Sequence, residues 1–208
     1  MHVSFNIPVK KRLALLLIPG LLSLVSCNQD KQSSKPLLET LPASVTNIAF
    51  ANNLDMSKSF RVLYFFYFYN GAGVSAGDIN NDGLPDLYFT ANSRGNNKLY
   101  LNKGNFQFED ITQQAGVAGL SDWCTGVTMA DVNGDGLLDI YVSSVNNIYD
   151  FKGHNELYIN NGNATFTESS SRYGLDISSY AGQSCFFDYD HDGDLDCYVL
   201  NQSFKPSE

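Results

Sequence analysis

One nine-residue pattern occurs three times in the sequence, and this repeat constrains the fold more than any other feature. It reads Asp-x-Asn/Asp-x-Asp-Gly-x-x-Asp and occupies residues 78–86, 131–139 and 188–196, here called loops one, two and three. Oxygen side chains at positions 1, 3, 5 and 9 suit a hard divalent cation. The Gly at position 6 allows a sharp turn, and the carbonyl at position 7 can add a ligand. The pattern therefore favours calcium.

The candidate ligands form three equivalent sets, for about three Ca²⁺ ions. They are Asp78, Asn80, Asp82, Leu84 (through its carbonyl) and Asp86; Asp131, Asn133, Asp135, Leu137 (through its carbonyl) and Asp139; and Asp188, Asp190, Asp192, Asp194 and Asp196. Loop three offers four carboxylate ligands, with Asp194 adding charge, whereas the other loops offer three carboxylates and one amide. Because affinity rises with ligand charge at constant geometry, we expect loop three to bind first and Asp192→Ala to abolish its site.

The loops allow two other interpretations. An EF-hand needs a Glu at position 12 and flanking helices, but position 12 is Phe89, Val142 or Val199 and each loop leads into strand-forming residues. Asp-rich turns that bind nothing are the second possibility, since Asp, Asn and Gly are ordinary turn residues. That interpretation leaves the Asp at position 9 unexplained in all three copies.

Composition limits the classes of function. The 208 residues are 43% hydrophobic, which is enough to build a core. The formal net charge of -9 argues against nucleic acid as a partner. Half of the 22 acidic residues lie in the three loops, so a metal ion accounts for much of the acidity.

The N-terminus predicts export and lipid attachment. Residues 1–26 have a basic start and a short apolar stretch, as in a signal peptide. Leu24-Val25-Ser26-Cys27 resembles the bacterial lipobox, which implies lipid on Cys27 and a location on the bacterial cell envelope, facing the periplasm or the surface. A membrane-spanning helix is the alternative, but the apolar run is short of the roughly 20 residues that it needs. The polar residues 27–44 predict a flexible tether, and 45–208 the folded part.

The strand pattern predicts an all-β fold. Residues 60–69, rich in aromatics, are predicted as a buried strand, and hairpins are predicted over 98–111 and 155–168. Residues 126–130 are predicted as the last of four strands in the first repeat, leading into loop two. The loops recur at spacings of 53 and 57 residues. Four short antiparallel strands in a repeat of this size are typical of a β-propeller blade.

These motifs carry a family resemblance. The loops, together with Asn-x-Leu-Tyr-x-Asn and the hairpin turns after it, resemble the FG-GAP or VCBS repeats of integrin α-chain propellers, and in particular bacterial lipoproteins related to cartilage acidic protein with an ASPIC/UnbV domain. The resemblance covers about residues 60–200, the N-terminal part of such a protein. It implies that each loop lies between the first two strands of a blade and binds calcium structurally. About three blades are present, so we expect an incomplete propeller, which a second chain could complete.

No catalytic constellation is apparent in the sequence. Carboxylates that hold calcium are poor general acids or bases. We therefore predict a non-enzymatic module that binds an unidentified protein or glycan in adhesion. The alternative is a propeller scaffold for an extracytoplasmic hydrolase whose catalytic part lies elsewhere.

The cysteines after Cys27 leave their redox state open. If the hairpin around loop three is symmetric, Cys185 faces Val199 and Cys197 faces Phe187, so that a disulfide between the two is disfavoured. With Cys124, they are predicted to be buried apolar side chains.

Overall fold

The computed structural model describes residues 36–54, 67–146 and 150–202. The chain divides into two compact units, Met1–Thr40 and Leu41–Glu208. Of the first unit only residues 36–40 are described, and all five are exposed. The predicted signal peptide, Cys27 and most of the tether thus lie outside the described residues. Within the described ranges, no helix is long and apolar enough to cross a membrane.

The second unit consists of short antiparallel strands. Sheet one contains β1 (Val74–Gly77), β2 (Asp86–Phe89), β3 (Lys98–Asn102) and β4 (Phe108–Asp110). Sheet two contains β5 (Cys124–Ala130), β6 (Asp139–Ser144), β7 (Glu156–Asn160) and β8 (Phe166–Glu168), and sheet three contains β9 (Ala181–Phe187) and β10 (Asp196–Asn201). Strands in each sheet are hydrogen-bonded in chain order, which confirms the all-β prediction.

The helices are single turns. They are α1 (Ala43–Thr46), α2 (Thr112–Ala115) and α3 (Ser170–Tyr173). The last two occupy the same place after the fourth strand of their sheets, and each ends at a glycine with positive φ, Gly116 at 76° and Gly174 at 68°. A left-handed residue at this position is the usual way to end a helix.

The main hydrophobic core combines residues of sheets one and two. Tyr88 and Leu99 of sheet one lie in it with Val127, Ile140 and Tyr158 of sheet two, all of them buried. The two sheets therefore share one core, as neighbouring blades do. A smaller cluster combines Phe68, Trp123, Val145 and Phe151.

The first strands of sheets two and three run side by side in the same direction. The hydroxyls of Thr125 and Thr128 donate to the carbonyls of Ala181 and Ser184, respectively. The separation is 56 residues in both cases. This constant offset means that β5 and β9 are parallel, although each sheet is internally antiparallel.

The structure corrects several sequence-based expectations about strands. Residues 67–69, predicted as part of a buried strand, form a turn in which Phe68 is buried; residues 60–66 lie outside the described ranges. The first strand of sheet one is instead β1, which consists of Val74 followed by three small residues. Residues 126–130 belong to the first strand of sheet two, and not to the end of the preceding repeat.

The hairpin around loop three differs by one residue from the symmetric register. Cys185 lies opposite Tyr198 and Cys197 opposite Phe186. The cysteines are still not directly opposed, and Cys124, Cys185 and Cys197 are free thiols. Cys124 is buried as predicted, whereas Cys197 is only partly buried and Cys185 is exposed.

Glycines on or next to the first strand of each sheet allow the sheets to approach closely. A Cβ on Gly73 would lie 2.7 Å from the carbonyl oxygen of Thr125 and 3.0 Å from the Cα of Gly126, both backbone atoms. We expect Gly73→Ala to lower the free energy of unfolding by about 1–3 kcal/mol, because the sheets must separate. In Gly182→Ala, the first contact is the mobile amide of Gln202 at 2.9 Å, so the loss should be much smaller. Urea unfolding, monitored by circular dichroism, measures the free energy of unfolding of both variants. Equal losses in the two variants would contradict close packing as the cause.

Candidate metal centre

The three loops occupy equivalent positions in the fold. Each connects the first strand of a sheet to the second, in agreement with the family resemblance. Loops one and two are in direct contact, because Asn81 Nδ2 donates to the carbonyl of Gly136 at 3.1 Å. Since the first strands of sheets two and three are parallel, loops two and three leave them at the same rim.

In loop one, side-chain oxygens already organise the backbone. Asp78 accepts hydrogen bonds from the N–H of Asp82 at 3.1 Å and of Gly83 at 2.7 Å. Asn80 Oδ1 accepts from the Asp82 N–H at 3.2 Å, and Asp82 Oδ1 accepts from the Leu84 N–H at 2.8 Å. Loop two repeats each of these bonds, with Asp131, Asn133 and Asp135 as the acceptors. The oxygens of positions 1, 3 and 5 are thus turned into the loop.

Positions 4 and 6 of every loop have a left-handed backbone. Position 6 is glycine, with φ of 85° at Gly83, 85° at Gly136 and 96° at Gly193. Position 4 is Asn81, Gly134 or His191, with φ between 56° and 74°. Two left-handed residues two positions apart curl the chain around its own carboxylates, which explains the spacing of the motif.

The Asp at position 9 also accepts hydrogen bonds from the backbone. Asp86 is completely buried, and its two oxygens accept from the N–H of Ile79 at 3.0 Å and of Asn102 at 2.7 Å. Asp139 does the same in sheet two, with the N–H groups of Val132 and Asn160. This carboxylate therefore ties the start of the loop to the third strand.

Electrostatics favour a cation in these loops. Burial raises the pKa of Asp86, the N–H groups of Asn102 and Ile79 oppose the rise, and the charges of Asp82 and Asp78 add to it. The pKa of Asp139 is raised for the same reasons. A carboxylate that is both buried and near like charges is stabilised by a bound cation.

Loop three differs because its carboxylates converge. Oxygens of Asp188, Asp190 and Asp196 lie within 4.8 Å of one another, the only such acidic group in the described part of the chain. Asp188 Oδ1 is buried and has no hydrogen-bond partner there. A buried carboxylate oxygen without a hydrogen-bond partner, beside two further carboxylates, fits a cation ligand, since buried polar atoms are otherwise nearly always satisfied.

The remaining acidic residues of loop three do not join this group. Asp192 Oδ1 accepts from the N–H of Asp194 at 3.2 Å. The pKa of Asp194 is raised. The largest cause is its side-chain hydrogen bond with Asp192, and the next is the negative charge of Asp192. In loops one and two, where position 3 is Asn, no three acidic side chains converge among the residues described.

Sequence reasoning missed a set of residues that join the second strand of a sheet to the segments before the third strand and after the fourth. Asn97 donates to the hydroxyl of Tyr88 at 3.1 Å, and that hydroxyl donates to the carbonyl of Val117 at 2.6 Å. In sheet two the corresponding residues are Asn155, Tyr141 and Leu175. The signal was present in the repeated Asn-x-Leu-Tyr-x-Asn, which was interpreted only as a hairpin strand.

A cavity lies beside the inner strands. It measures about 250 Å³ and is lined by Gly73, Gly126 and Gly182 together with the polar side chains of Gln183 and Gln202. The three glycines lie near the starts of the first strands, whereas the loops follow their ends. The cavity is therefore separate from the candidate metal sites.

Repeated antiparallel sheets, each with an Asp-rich loop between its first two strands, define a protein built of β-propeller blades. The FG-GAP-like repeat matches residues 78–142 and 145–199. The chain therefore belongs to the FG-GAP-like repeat family.

Relatives support this assignment. Cartilage acidic protein 1 of Mus musculus is 31% identical over 140 residues, or 66% of this chain, and that of Homo sapiens is 30% identical over the same length. The Xenopus tropicalis protein is 29% identical over 138 residues, or 65% of this chain. The aligned region spans 20% of each relative.

Proposed function

We propose that this chain is a calcium-binding, lipid-anchored module of the bacterial cell envelope that binds a protein or glycan. The observation that supports calcium most directly is the buried, unpartnered Oδ1 of Asp188 beside Asp190 and Asp196. All donors at the site are oxygens, the ligands that Ca²⁺ prefers. Calcium is favoured over Mg²⁺ because Ca²⁺ accepts six to eight oxygen ligands in irregular geometry, whereas Mg²⁺ demands a nearly ideal octahedron.

The bound ion would supply positive charge between the first two strands of each blade. In loop three, Asp188, Asp190 and Asp196 would hold it, with Asp192 and the carbonyl of Asp194 available after a local adjustment. In loops one and two, positions 1, 3 and 5 already turn their oxygens inward, as shown above. The role is structural, because these residues are committed to the ion and to backbone N–H groups.

The proposed anchor depends on Cys27. We expect the wild-type chain, expressed in a Gram-negative host, to sediment with outer membranes and to take up labelled palmitate. Cys27→Ser should abolish the label, because lipid is added to the cysteine sulfur. A variant that still takes up labelled palmitate, while a Cys124→Ser control behaves as wild type, would contradict lipid attachment to Cys27.

A binding role is supported by the rim position of the loops and by exposed aromatic side chains near loop three, such as Tyr189 and Tyr198. A screen of the full chain against glycan arrays and envelope proteins, run beside a panel of hydrolase substrates, separates this role from the scaffold alternative. Saturable binding without turnover is expected. Turnover by the chain itself would overturn the proposal.

A further inference from the structure

One asparagine of sheet two contacts both loop one and loop two. Asn160 is the last residue of β7, and its side chain is buried. Its amide nitrogen donates to the carbonyl of Ile79 in loop one at 2.8 Å and to the carbonyl of Leu138 in loop two at 3.1 Å. Its backbone N–H donates to Asp139, position 9 of loop two, at 2.8 Å. A single amide group is therefore shared between two candidate metal sites.

The carbonyl of Ile79 lies within the ligand set of loop one. Ile79 is position 2 of the loop, between Asp78 and Asn80. Its own N–H donates to Asp86, position 9 of the same loop, at 3.0 Å. Because a peptide unit is planar, the hydrogen bond from Asn160 also orients the peptide group that carries the N–H of Asn80. A residue of sheet two thus positions a segment of loop one that bears candidate ligands.

Two further contacts join the two loops. Asn81 of loop one donates to the carbonyl of Gly136 of loop two, as described above, but Asn81 is exposed. A Cβ on Gly77, the last residue of β1, would lie 2.7 Å from Cδ1 of Leu138 in loop two. A rearrangement of one loop therefore displaces groups that the other loop contacts.

The equivalent asparagine of sheet one serves as a comparison. Asn102 is the last residue of β3, and its backbone N–H donates to Asp86 at 2.7 Å. Its amide donates to the carbonyl of Pro85, position 8 of loop one, at 2.8 Å. These bonds match those that Asn160 makes to loop two. Within the described part of the chain, the hydrogen bonds of the Asn102 side chain all stay in sheet one and its loops.

We propose that Asn160 is a positioning residue shared by the calcium sites of loops one and two, and that it makes calcium binding at these loops cooperative. This cooperativity rests on the calcium binding proposed above. An ion in either loop holds the carboxylates of that loop in place. Through Asn160, it also orders part of the backbone of the other loop, so the second ion binds with a smaller loss of conformational entropy.

Repulsion between the two bound ions opposes this effect. The carboxylates at position 5, Asp82 and Asp135, are exposed, so salt screens the repulsion, with a screening length of about 8 Å at physiological ionic strength. The hydrogen bonds of Asn160 are buried, and such contacts are screened much less. We therefore expect the favourable coupling to dominate at physiological salt.

Calorimetric titration of calcium into the full chain measures this coupling. The Asp188→Asn background removes the site of loop three and leaves two ions to bind. In that background, Asp82→Ala removes the site of loop one and Asp135→Ala removes that of loop two, so that each variant gives the affinity of the remaining loop alone. We expect the overall association constant for two ions to exceed the product of the two single-loop constants about tenfold, a coupling of ordinary size.

Asn160→Ala and Asn102→Ala distinguish the shared contact from general support of a loop. Each variant removes an amide that donates to the loop of its own sheet, but only Asn160→Ala also removes a hydrogen bond to the neighbouring sheet's loop. The coupling factor should fall to about threefold or less in Asn160→Ala, which keeps the exposed bond of Asn81. In Asn102→Ala it should stay about tenfold.

Two results would overturn the cooperativity while calcium binding itself stands. One is a coupling factor near one in the Asp188→Asn background, a measurement that needs no change at Asn160 and is unaffected if an Asn160 variant folds poorly. The other is a coupling factor that Asn160→Ala leaves unchanged. If loops one and two bind no calcium at all, the proposed function of these loops fails together with the cooperativity.

Discussion

Asp139→Ala is expected to lower the free energy of unfolding by about 3 kcal/mol, even with all calcium removed by EDTA. The substitution leaves the N–H groups of Val132 and Asn160 without an acceptor inside the protein, at a cost of about 2 kcal/mol each. The substitution also removes a carboxylate whose burial raises its pKa. The cost of burying that charge disappears, which offsets part of the loss in free energy of unfolding. Urea unfolding in EDTA measures the difference.

Asp196→Ala is the matched control for this prediction. Asp196 accepts one backbone N–H and is only partly buried, so its removal in EDTA should cost much less. If Asp139→Ala destabilises the protein only when calcium is present, the carboxylate is a ligand alone and the bracing role assigned to position 9 is wrong.

Calcium should raise the stability of the wild type by a large amount. An ion that binds only the folded state adds about 4 kcal/mol for each site at a thousandfold excess over its dissociation constant. For a chain of this size, that corresponds to a rise of about 10 °C in melting temperature. Differential scanning fluorimetry in calcium, magnesium and EDTA provides the comparison.

Asp188→Asn and the wild type should differ in stability in opposite directions in EDTA and in calcium. In EDTA the variant should equal or exceed the wild type, because it removes charge from a cluster in which Asp188 accepts one weak hydrogen bond, from the Gly193 N–H at 3.3 Å. In calcium it should be the less stable protein. A variant that loses the same amount in both conditions would show that Asp188 is a structural residue.

Much of the fold was predictable because the repeat encodes it locally. The loops, the two hairpins and their strands follow from alternating apolar residues bounded by Asp, Asn and Gly, and comparison of the copies fixes their register. Hairpins form from neighbouring residues, so sequence spacing alone places them.

The first strand of sheet one was not predictable in the same way. β1 consists of Val74 followed by small residues, and it is a strand because Gly77 can approach the side chains of Leu138 in loop two and Met129 in β5. Those contacts come from residues more than fifty positions away. The aromatic residues 67–69, by contrast, have strand propensity and form a turn, because tertiary contacts override propensity.

The residue types of the candidate site were predictable from the sequence, but the role of each residue was not. Position 9 was assigned to metal binding alone, whereas the structure shows it bracing the third strand, which depends on the backbone of Asn102 or Asn160. Glu156 had no sequence signal at all. It is fully buried and accepts the N–H groups of Leu120 and Ser121, so it joins sheet two to the segment that follows sheet one.

Calorimetric titration of calcium into the full chain, its Asp188→Asn variant and its Asn80→Ala variant tests the central claim most directly. Loop three combines converging carboxylates with an orphaned buried oxygen, so the tightest binding event should vanish in Asp188→Asn and persist in Asn80→Ala. If calcium binds none of the three proteins, or if Asp188→Asn leaves the tightest event unchanged, loop three is not the principal calcium site.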